Sequence, residues 1–239
     1  MTVVHGRGRP RPGRVVSVNV GLPRTVHWKG RDVTTAIFKQ PVEGRIRVRR
    51  VNLDGDRQGD LSVHGGPAKA VYAYPLEHYA YWQEQLGEEL QYGAFGENLT
   101  VEGLPLERET AVGDRFRIGT ADLVVTQPRL PCYKLGLRFG REDMVKRFLA
   151  SGRTGYYFAV EAEGDVGAGD SVERVARDPA RIAVSEVTRV FASDRDDFAT
   201  MERLVAVDAL PDDWRGFFLK KLADRAPRDR RARDVAAGA

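Results

Sequence analysis

The segment from Gln127 to Arg138, which reads Gln-Pro-Arg-Leu-Pro-Cys-Tyr-Lys-Leu-Gly-Leu-Arg, holds the one cysteine of this sequence. Two prolines bracket Arg129 and keep it extended, so Cys132 follows a rigid, non-helical approach. Lys134 and Arg138 share a face with Cys132 in an extended chain, and with each other in a helix. Cations beside a thiol favour the thiolate, which attacks electrophiles or binds soft metals. This context favours a reactive cysteine over the alternative, a buried structural one.

Two further polar segments offer chemical groups, and each also has a plain structural alternative. The turn His64-Gly65-Gly66 presents backbone N–H groups to an anion, with His64 as ligand, hydrogen-bond donor or proton carrier. The alternative is a hairpin turn with a solvated histidine. Glu97 and Asn98 set an acid and an amide just before a predicted strand, or form only an Asx-type turn.

The loop 151–155, Ser-Gly-Arg-Thr-Gly, offers Arg153 and Thr154 to an oxyanion, or merely caps the preceding helix. Other familiar motifs are absent from the sequence, which has no G-x-G-x-x-G, Walker loop, H-E-x-x-H or nucleophile elbow. One cysteine and four scattered histidines cannot build a structural zinc site or a cysteine-ligated iron–sulfur cluster. The candidate chemistry is therefore concentrated in these few segments.

The elements that must position these groups are predicted to be mainly β-strands. Residues 15–177 consist of short β-branched segments punctuated by Gly, Pro and Asp, which is typical of an all-β domain. A closed barrel is favoured because closure removes exposed strand edges. The predicted strands are Val15–Asn19, Val33–Lys39, Arg45–Leu53, Ala70–Tyr74, Asn98–Glu102, Arg115–Ile118, Leu123–Gln127, Tyr156–Glu161 and Ser171–Val175.

Helical spacing predicts two helices within the barrel domain, one over 76–90 and one over 144–149 that ends at Gly152. After Asp178-Pro179 the pattern changes to three helices, predicted over 181–192, 196–206 and 212–224. This small α domain, 178–224, is near the lower size limit for an independent core, so we expect it to dock on the barrel or on a partner. The basic segments 1–14 and 225–239 are predicted to be disordered tails.

Composition excludes several classes of protein. The 239 residues are 42% hydrophobic and 30% charged, which is typical of a globular chain. The net charge is +4 and the two tails together carry +7, so the body carries about −3 and no nucleic-acid partner is expected. No apolar run approaches the roughly 18 residues that span a membrane, so no membrane partner is expected. One cysteine and no signal peptide predict a cytoplasmic protein.

Four motifs in order resemble the MOSC family, named for the C-terminal domain of molybdenum-cofactor sulfurases. They are His-Gly-Gly at 64–66, Gly-Glu-Asn-Leu at 96–99, Gln-Pro-Arg-x-Pro-Cys-Tyr-Lys-Leu at 127–135 and Gly-Arg-Thr-Gly at 152–155. The chain is most similar to the YiiM-like branch, with 15–175 as a MOSC-type β-barrel and 181–224 as the three-helix domain that follows it. The resemblance implies a molybdenum cofactor (molybdopterin) with Cys132 as metal ligand, and reduction of N-hydroxylated compounds, including nucleobases.

Residue chemistry is compatible with that cofactor, because a thiolate is a soft metal ligand and a pterin phosphate needs cations and N–H donors. Reduction of N–OH to N–H needs two electrons and two protons, and His64 or Glu97 is a candidate for the proton path. The electrons must come from a separate electron-donor protein, since the chain has no flavin or iron–sulfur motif. Pyridoxal phosphate is not expected. The candidate cofactor-binding residues are Gly65, Gly66, Lys69, Asn98, Arg129, Lys134, Arg138, Arg153 and Thr154.

Two alternative functions remain open from the sequence. In one, the protein is a molybdenum-cofactor or sulfur carrier in which Cys132 holds a persulfide without turnover. In the other, it is a small-molecule-binding barrel without chemistry. The exposed helices need a partner surface, which is compatible with a homodimer.

Overall fold

The structure is a computed structural model that describes residues 12–57 and 65–237, with side chains up to residue 225. It contains twelve strands and six helices in these residues. The strands are β1 (Gly13–Val20), β2 (Arg24–Trp28), β3 (Arg31–Thr35), β4 (Gln40–Val42), β5 (Arg45–Val48), β6 (Val71–Pro75), β7 (Leu99–Glu102), β8 (Arg115–Ile118), β9 (Ala121–Pro128), β10 (Tyr156–Ala162), β11 (Gly164–Gly167) and β12 (Ser171–Ala176). The helices are α1 (Glu77–Leu86), α2 (Tyr133–Phe139), α3 (Met144–Ser151), α4 (Val184–Ala192), α5 (Phe198–Val205) and α6 (Asp212–Ala237). No helix in the described part of the chain is long and apolar enough to cross a membrane.

Seven strands close into a barrel in the order β12-β8-β9-β10-β6-β7-β1. Antiparallel pairing of β12 with β1, at Gly13↔Val172, completes the ring. The pairing of β6 with β7 is parallel, and β4 adds to the far end of β1 at Val18↔Val42. The predicted closed β-barrel is therefore confirmed, and its closure leaves these seven strands without a free edge.

Two apolar clusters support the barrel and the site. The barrel interior is filled by β-branched and aromatic side chains, with the rings of Phe116 and Phe158 packed edge-on at 5.6 Å. Outside it, α1 and α3 cover an aromatic cluster in which Tyr74 stacks on Phe95 at 4.5 Å. The indole N–H of Trp82 donates to Tyr74 Oη at 2.8 Å. This cluster fixes Phe95 and hence the turn that leads into β7.

The three-helix unit α4 to α6 has its own apolar core and docks on the barrel. Val112, which precedes β8, is buried in that helical core. Its backbone N–H donates to Ile182 O at 3.0 Å, and Val184 N–H donates to Thr110 O at 2.8 Å. The predicted three-helix domain is thus confirmed. Helix α6 differs from the prediction, because its backbone continues to Ala237 instead of ending at residue 224.

Short elements account for most other differences from the sequence-based predictions. The hairpin β2–β3 turns at Lys29 and Gly30, both with positive φ, and β3 ends at Thr35 rather than continuing to Lys39. Strand β4 has only three residues and contains a proline, a residue that disfavours strands except at edges. Strand β1 begins at Gly13, inside the segment predicted to be a tail.

Candidate functional site

A pocket of about 700 Å³, including its mouth, lies where several barrel segments meet. Its wall combines Arg129 after β9, Tyr157 of β10, Lys69 before β6, Asn98 before β7 and Cys132 before α2. Three of the four motifs noted in the sequence therefore contribute to one cavity, although up to about sixty residues separate them along the chain. Barrel closure brings them together because their strands are neighbours in the ring.

Cys132 lies immediately before α2, in an extended conformation with φ −112° and ψ 172°. Its carbonyl accepts the N–H of Leu135 at 2.9 Å, which closes the first turn of the helix. The thiol is free and half-buried in the pocket wall. The structure thereby decides between the two conformations left open by the sequence: the approach to Cys132 is extended, and the residues after it are helical.

The helix separates the two cations that were predicted to act together. Lys134 is 9% exposed and lines the pocket. Arg138 does not line it, and its guanidinium faces the ring of Phe38 at 5.3 Å and that of Phe139 at 5.9 Å. Burial lowers the pKa of Arg138. The structure therefore places Lys134, but not Arg138, beside Cys132.

Arg129 is a buried guanidinium with an unused donor. It is 5% exposed and lies 5.1 Å from the ring of Phe148 and 5.7 Å from that of Tyr72. Its Nη2 donates weakly to Phe95 O at 3.5 Å, and its Nη1 has no hydrogen-bond partner among the described residues. A buried donor without a partner costs free energy, which an anion in the pocket would offset.

A buried ion pair between Lys39 and Asp56 also lines the pocket, and no motif in the sequence indicates it. The nitrogen of Lys39 is 2.5 Å from both carboxylate oxygens of Asp56. Burial lowers the pKa of Lys39, and the Asp56 charge opposes that effect. The sequence predicts a strand through Lys39, whereas in the structure a loop follows β3 and places Lys39 in the pocket wall. Lys39 and Asp56 are 17 residues apart, and no local sequence pattern indicates that they pair.

Asn98 uses its side-chain amide to fix the pocket wall. Its Oδ1 accepts the backbone N–H of Tyr72 at 3.1 Å, and its Nδ2 donates to Asp56 at 2.9 Å. Asn98 thus lines the pocket and joins β6 to the Lys39–Asp56 pair.

Glu97 is fully buried and does not line the pocket. One carboxylate oxygen accepts from the hydroxyls of Tyr79 and Thr100 and from Gly93 N–H, and the other accepts from Phe95 N–H at 3.0 Å. Burial raises the pKa of Glu97, and the Tyr79 hydroxyl opposes that shift. In this arrangement Glu97 holds the turn in front of β7, and the structure does not bring it to Cys132.

Arg153 and Thr154 likewise lie outside the pocket lining. The guanidinium of Arg153 stacks 3.9 Å from the Tyr81 ring. Thr154 is buried, and its hydroxyl donates a hydrogen bond to Gly155 O at 2.9 Å. The backbone carbonyl of Thr154 accepts the hydroxyl of Tyr72 at 2.8 Å. This loop therefore supports a pocket side chain without contributing its own.

The glycine turn before β6 contributes Gly65 and leads to Lys69. Gly65 and Gly66 both have positive φ, 96° and 85°, which only glycine adopts without strain. Gly66 precedes a single 3₁₀ turn, Pro67–Lys69, that places Lys69 in the wall. Gly66 itself does not line the pocket, and His64 lies outside the described residues.

The pocket is strongly positive. Of the residues that the structure describes, five cations line it, Lys39, Arg57, Lys69, Arg129 and Lys134, against a single acid, Asp56. No group of three or more His, Cys, Asp or Glu side chains that could hold a metal ion by themselves occurs in the described part of the chain. The lining fits an organic anion that carries its own metal, because it offers one thiol, several cations and the unused Nη1 donor of Arg129.

Family models match both parts of the chain. The MOSC domain matches residues 60–173, and the YiiM-like 3-alpha helix domain matches residues 182–225. Protein YiiM of Escherichia coli is 40% identical over 157 residues, which are 64% of this chain and 67% of that protein. The chain belongs to the MOSC family. Within it, the three-helix domain assigns this MOSC protein to the YiiM-like branch, as the sequence motifs predicted.

Other relatives agree with this assignment. "Uncharacterized protein YflK" of Bacillus subtilis is 42% identical over 207 residues, 87% of this chain and 93% of that protein. The crystal structure of YiiM from Geobacillus stearothermophilus superposes with a TM-score of 0.75 at 35% identity, covering 88% of this chain and all of that one. A "Reductase" of Gibberella moniliformis is 31% identical over 185 residues, and this chain spans only 32% of its length. MOSC membership and this reductase support a molybdenum-cofactor-related function.

Proposed function

We propose that this MOSC protein is a cytoplasmic, molybdenum-cofactor-dependent reductase of N-hydroxylated compounds such as N-hydroxylated purines. The observation that carries the proposal is the pairing, in one pocket, of the only cysteine with a buried arginine whose Nη1 has no partner among the described residues. A soft ligand and an unused anion donor are the two groups that an anionic metal cofactor requires.

The chain's own residues would bind and orient the cofactor. Cys132 would ligate the metal, while Arg129, Lys134 and Lys69 would bind the anionic groups of the pterin. When bound, the cofactor supplies the two-electron redox chemistry. The aromatic rings of Tyr72 and Tyr157, 5.1 Å apart, form part of the wall, and burial raises the pKa values of both phenols, so they stay protonated.

The proposed reaction balances as R–NHOH plus two electrons and two protons giving R–NH2 and water. A separate electron-donor protein must supply the electrons. Lys39 is a further source of a proton, because its Nζ lies in the pocket wall and burial lowers its pKa. His64 remains the sequence-based candidate for the same task.

Metal analysis and turnover test the proposal together. Full-length protein made in a host that synthesises the cofactor should retain near-stoichiometric molybdenum and, with an artificial reductant, convert hydroxylaminopurine to adenine. Simple amidoximes should react less well. Protein without metal but with a labile persulfide on Cys132 would favour the sulfur-carrier alternative. Metal-replete protein that reduces sulfoxides or nitrate but no N–OH compound would refute the reaction class.

A further inference from the structure

A second cavity, of about 950 Å³ including its mouth, lies between the barrel and the three-helix unit. Cys132 lines this cavity as well as the cation-lined pocket, and so do Lys69 and Tyr157. The two cavities therefore adjoin each other at Cys132. A cofactor held in the first would present its metal ligand at the boundary of the second.

The helical wall of the second cavity is aromatic. Phe191 of α4 packs against Trp214 and Phe217 of α6, with ring centroids 5.2 Å apart in both pairs. The barrel wall opposite contributes Pro128 and Leu130. An apolar slot between an aromatic surface and a proline-rich surface suits a flat ring.

Two polar groups of the second cavity, Gln127 and Asp213, offer hydrogen-bond acceptors. Gln127 is 1% exposed, and its Oε1 has no hydrogen-bond partner among the described residues. The carboxylate of Asp213 lies at the rim, 3.9 Å from Lys69 Nζ. A buried acceptor without a partner is costly and favours a ligand that brings an N–H group. The second cavity thus differs from the first, where five cations line the wall.

We propose that the cavity between the barrel and the three-helix unit binds the ring of the substrate, a planar nitrogen heterocycle with N–H donors such as a purine. In this arrangement Gln127 Oε1 accepts a ring or exocyclic N–H, and Phe217 and Trp214 contact the ring face. The three-helix unit thereby selects the substrate, while the barrel holds the cofactor. This assignment rests on the proposed function.

Binding of adenine, the reaction product, tests the assignment without turnover. Phe217→Ala removes a half-buried ring from the cavity wall, whereas Trp214 is too deeply packed in the helical core to be replaced safely. Leu219→Ala is the matched control, because Leu219 is exposed on the same helix and does not line the cavity. Calorimetry on the full-length chain should show about tenfold weaker adenine binding for Phe217→Ala, corresponding to the roughly 1.4 kcal/mol expected of a lost ring contact. Leu219→Ala should bind as the wild type does.

A second variant tests the acceptor. Gln127→Met keeps a side chain of similar length but removes Oε1, so adenine should bind several-fold more weakly while the melting temperature stays the same or rises. Equal adenine affinity in wild type, Phe217→Ala and Gln127→Met would overturn the assignment.

Alkylation of the thiol locates the bound ring. Cys132 is the only cysteine, so iodoacetamide labels one site. Adenine at a concentration near the wild-type Kd should slow this labelling in the wild-type chain purified from cells that lack the cofactor, and much less in Phe217→Ala. An unchanged labelling rate in the wild type would place the ring elsewhere and refute the proposal.

Kinetics separate the failure of this inference from failure of the proposed function. If the cofactor-loaded wild type reduces hydroxylaminopurine but Phe217→Ala leaves its KM unchanged, the ring site is wrong and the reaction stands. If adenine binding depends on Phe217 but no N–OH compound is reduced, the ring site stands and the proposed reaction is wrong.

Discussion

Lys39 Nζ lies 2.5 Å from both carboxylate oxygens of Asp56, and this buried pair joins three segments around the cation-lined pocket. Asp56 also accepts the backbone N–H of Gly21 at 2.8 Å and the Nδ2 donor of Asn98 at 2.9 Å. One carboxylate thus connects the loop after β1, the residue before β4 and the turn before β7. The shape of the pocket depends on it.

Replacing Asp56 by Asn should destabilise the protein strongly. In the variant, Lys39 stays buried beside a neutral amide, and the new NH2 group faces the Nδ2 donor of Asn98. We expect this to lower the free energy of unfolding by about 3 kcal/mol. Urea denaturation measures the change. Asp54→Asn is the matched control, because Asp54 forms an exposed pair with Arg49 and its loss should have little effect. A similar loss of stability in both variants would contradict this interpretation.

Replacing Cys132 by Ser should abolish retention of molybdenum and N–OH reduction. A hydroxyl is of similar size but is a poor soft-metal ligand, so the melting temperature of the cofactor-free protein should not change. Metal content and turnover are measured on protein from the same cofactor-competent host. If Cys132→Ser retains wild-type turnover, Cys132 is not the ligand.

Replacing Lys134 by Ala should weaken cofactor retention, whereas replacing Arg138 by Ala should not. Only Lys134 lines the pocket, although both residues lie on α2. Loss of one charge-assisted hydrogen bond of about 1.5–3 kcal/mol lowers affinity roughly 10- to 100-fold. Molybdenum retained after extended dialysis is the readout. Equal loss in both variants would mean that Arg138 also contacts the cofactor.

Replacing Glu97 by Gln should lower the melting temperature without altering the pH profile of kcat/KM. Glu97 only accepts hydrogen bonds, so an amide nitrogen would oppose an N–H or O–H donor, at a cost of about 1–3 kcal/mol. Glu84→Gln, exposed on α1, serves as the control. A variant with normal stability and a changed pH profile would instead place Glu97 in the proton path.

Replacing Asp197 by Ala should destabilise the three-helix unit at neutral pH but not in acid. Asp197 caps α5, and the Arg189 guanidinium, with Thr200, lowers its pKa to about 2 from an ordinary value of 3.8. A carboxylate with a lowered pKa stabilises the folded state above pH 4, and this contribution is lost as the pH falls to about 2. The variant should lose about 1 kcal/mol at pH 7, and the difference from wild type should shrink between pH 4 and pH 2. Asp196→Ala, exposed in the same loop, is the control.

The sequence predicted the architecture well where long patterns carry the information. Repeated β-branched segments indicated the barrel, and the apolar spacing around Trp214 and Phe218 indicated the three-helix unit. Helix α2 was not assigned, because its seven residues make only two turns and the prolines before it favour an extended chain. Lys39 was assigned to a strand because the apolar pattern continues beyond the end of β3.

The sequence by itself determined which chemistry is present: one cysteine with neighbouring cations, glycines where the backbone needs positive φ, and the motifs of the MOSC family. Only the tertiary structure decided which of these groups meet. Lys134 and Arg138 share a face of α2, but Arg138 lies one turn farther from Cys132, and only Lys134 lines the pocket. Glu97 and Asn98 are adjacent, yet Asn98 lines the pocket while the carboxylate of Glu97 is held by Tyr79, Thr100 and the backbone of the turn before β7. Lys39 and Asp56 meet because closure of the barrel fixes the loops that carry them, and such long-range placement leaves no local pattern in the sequence.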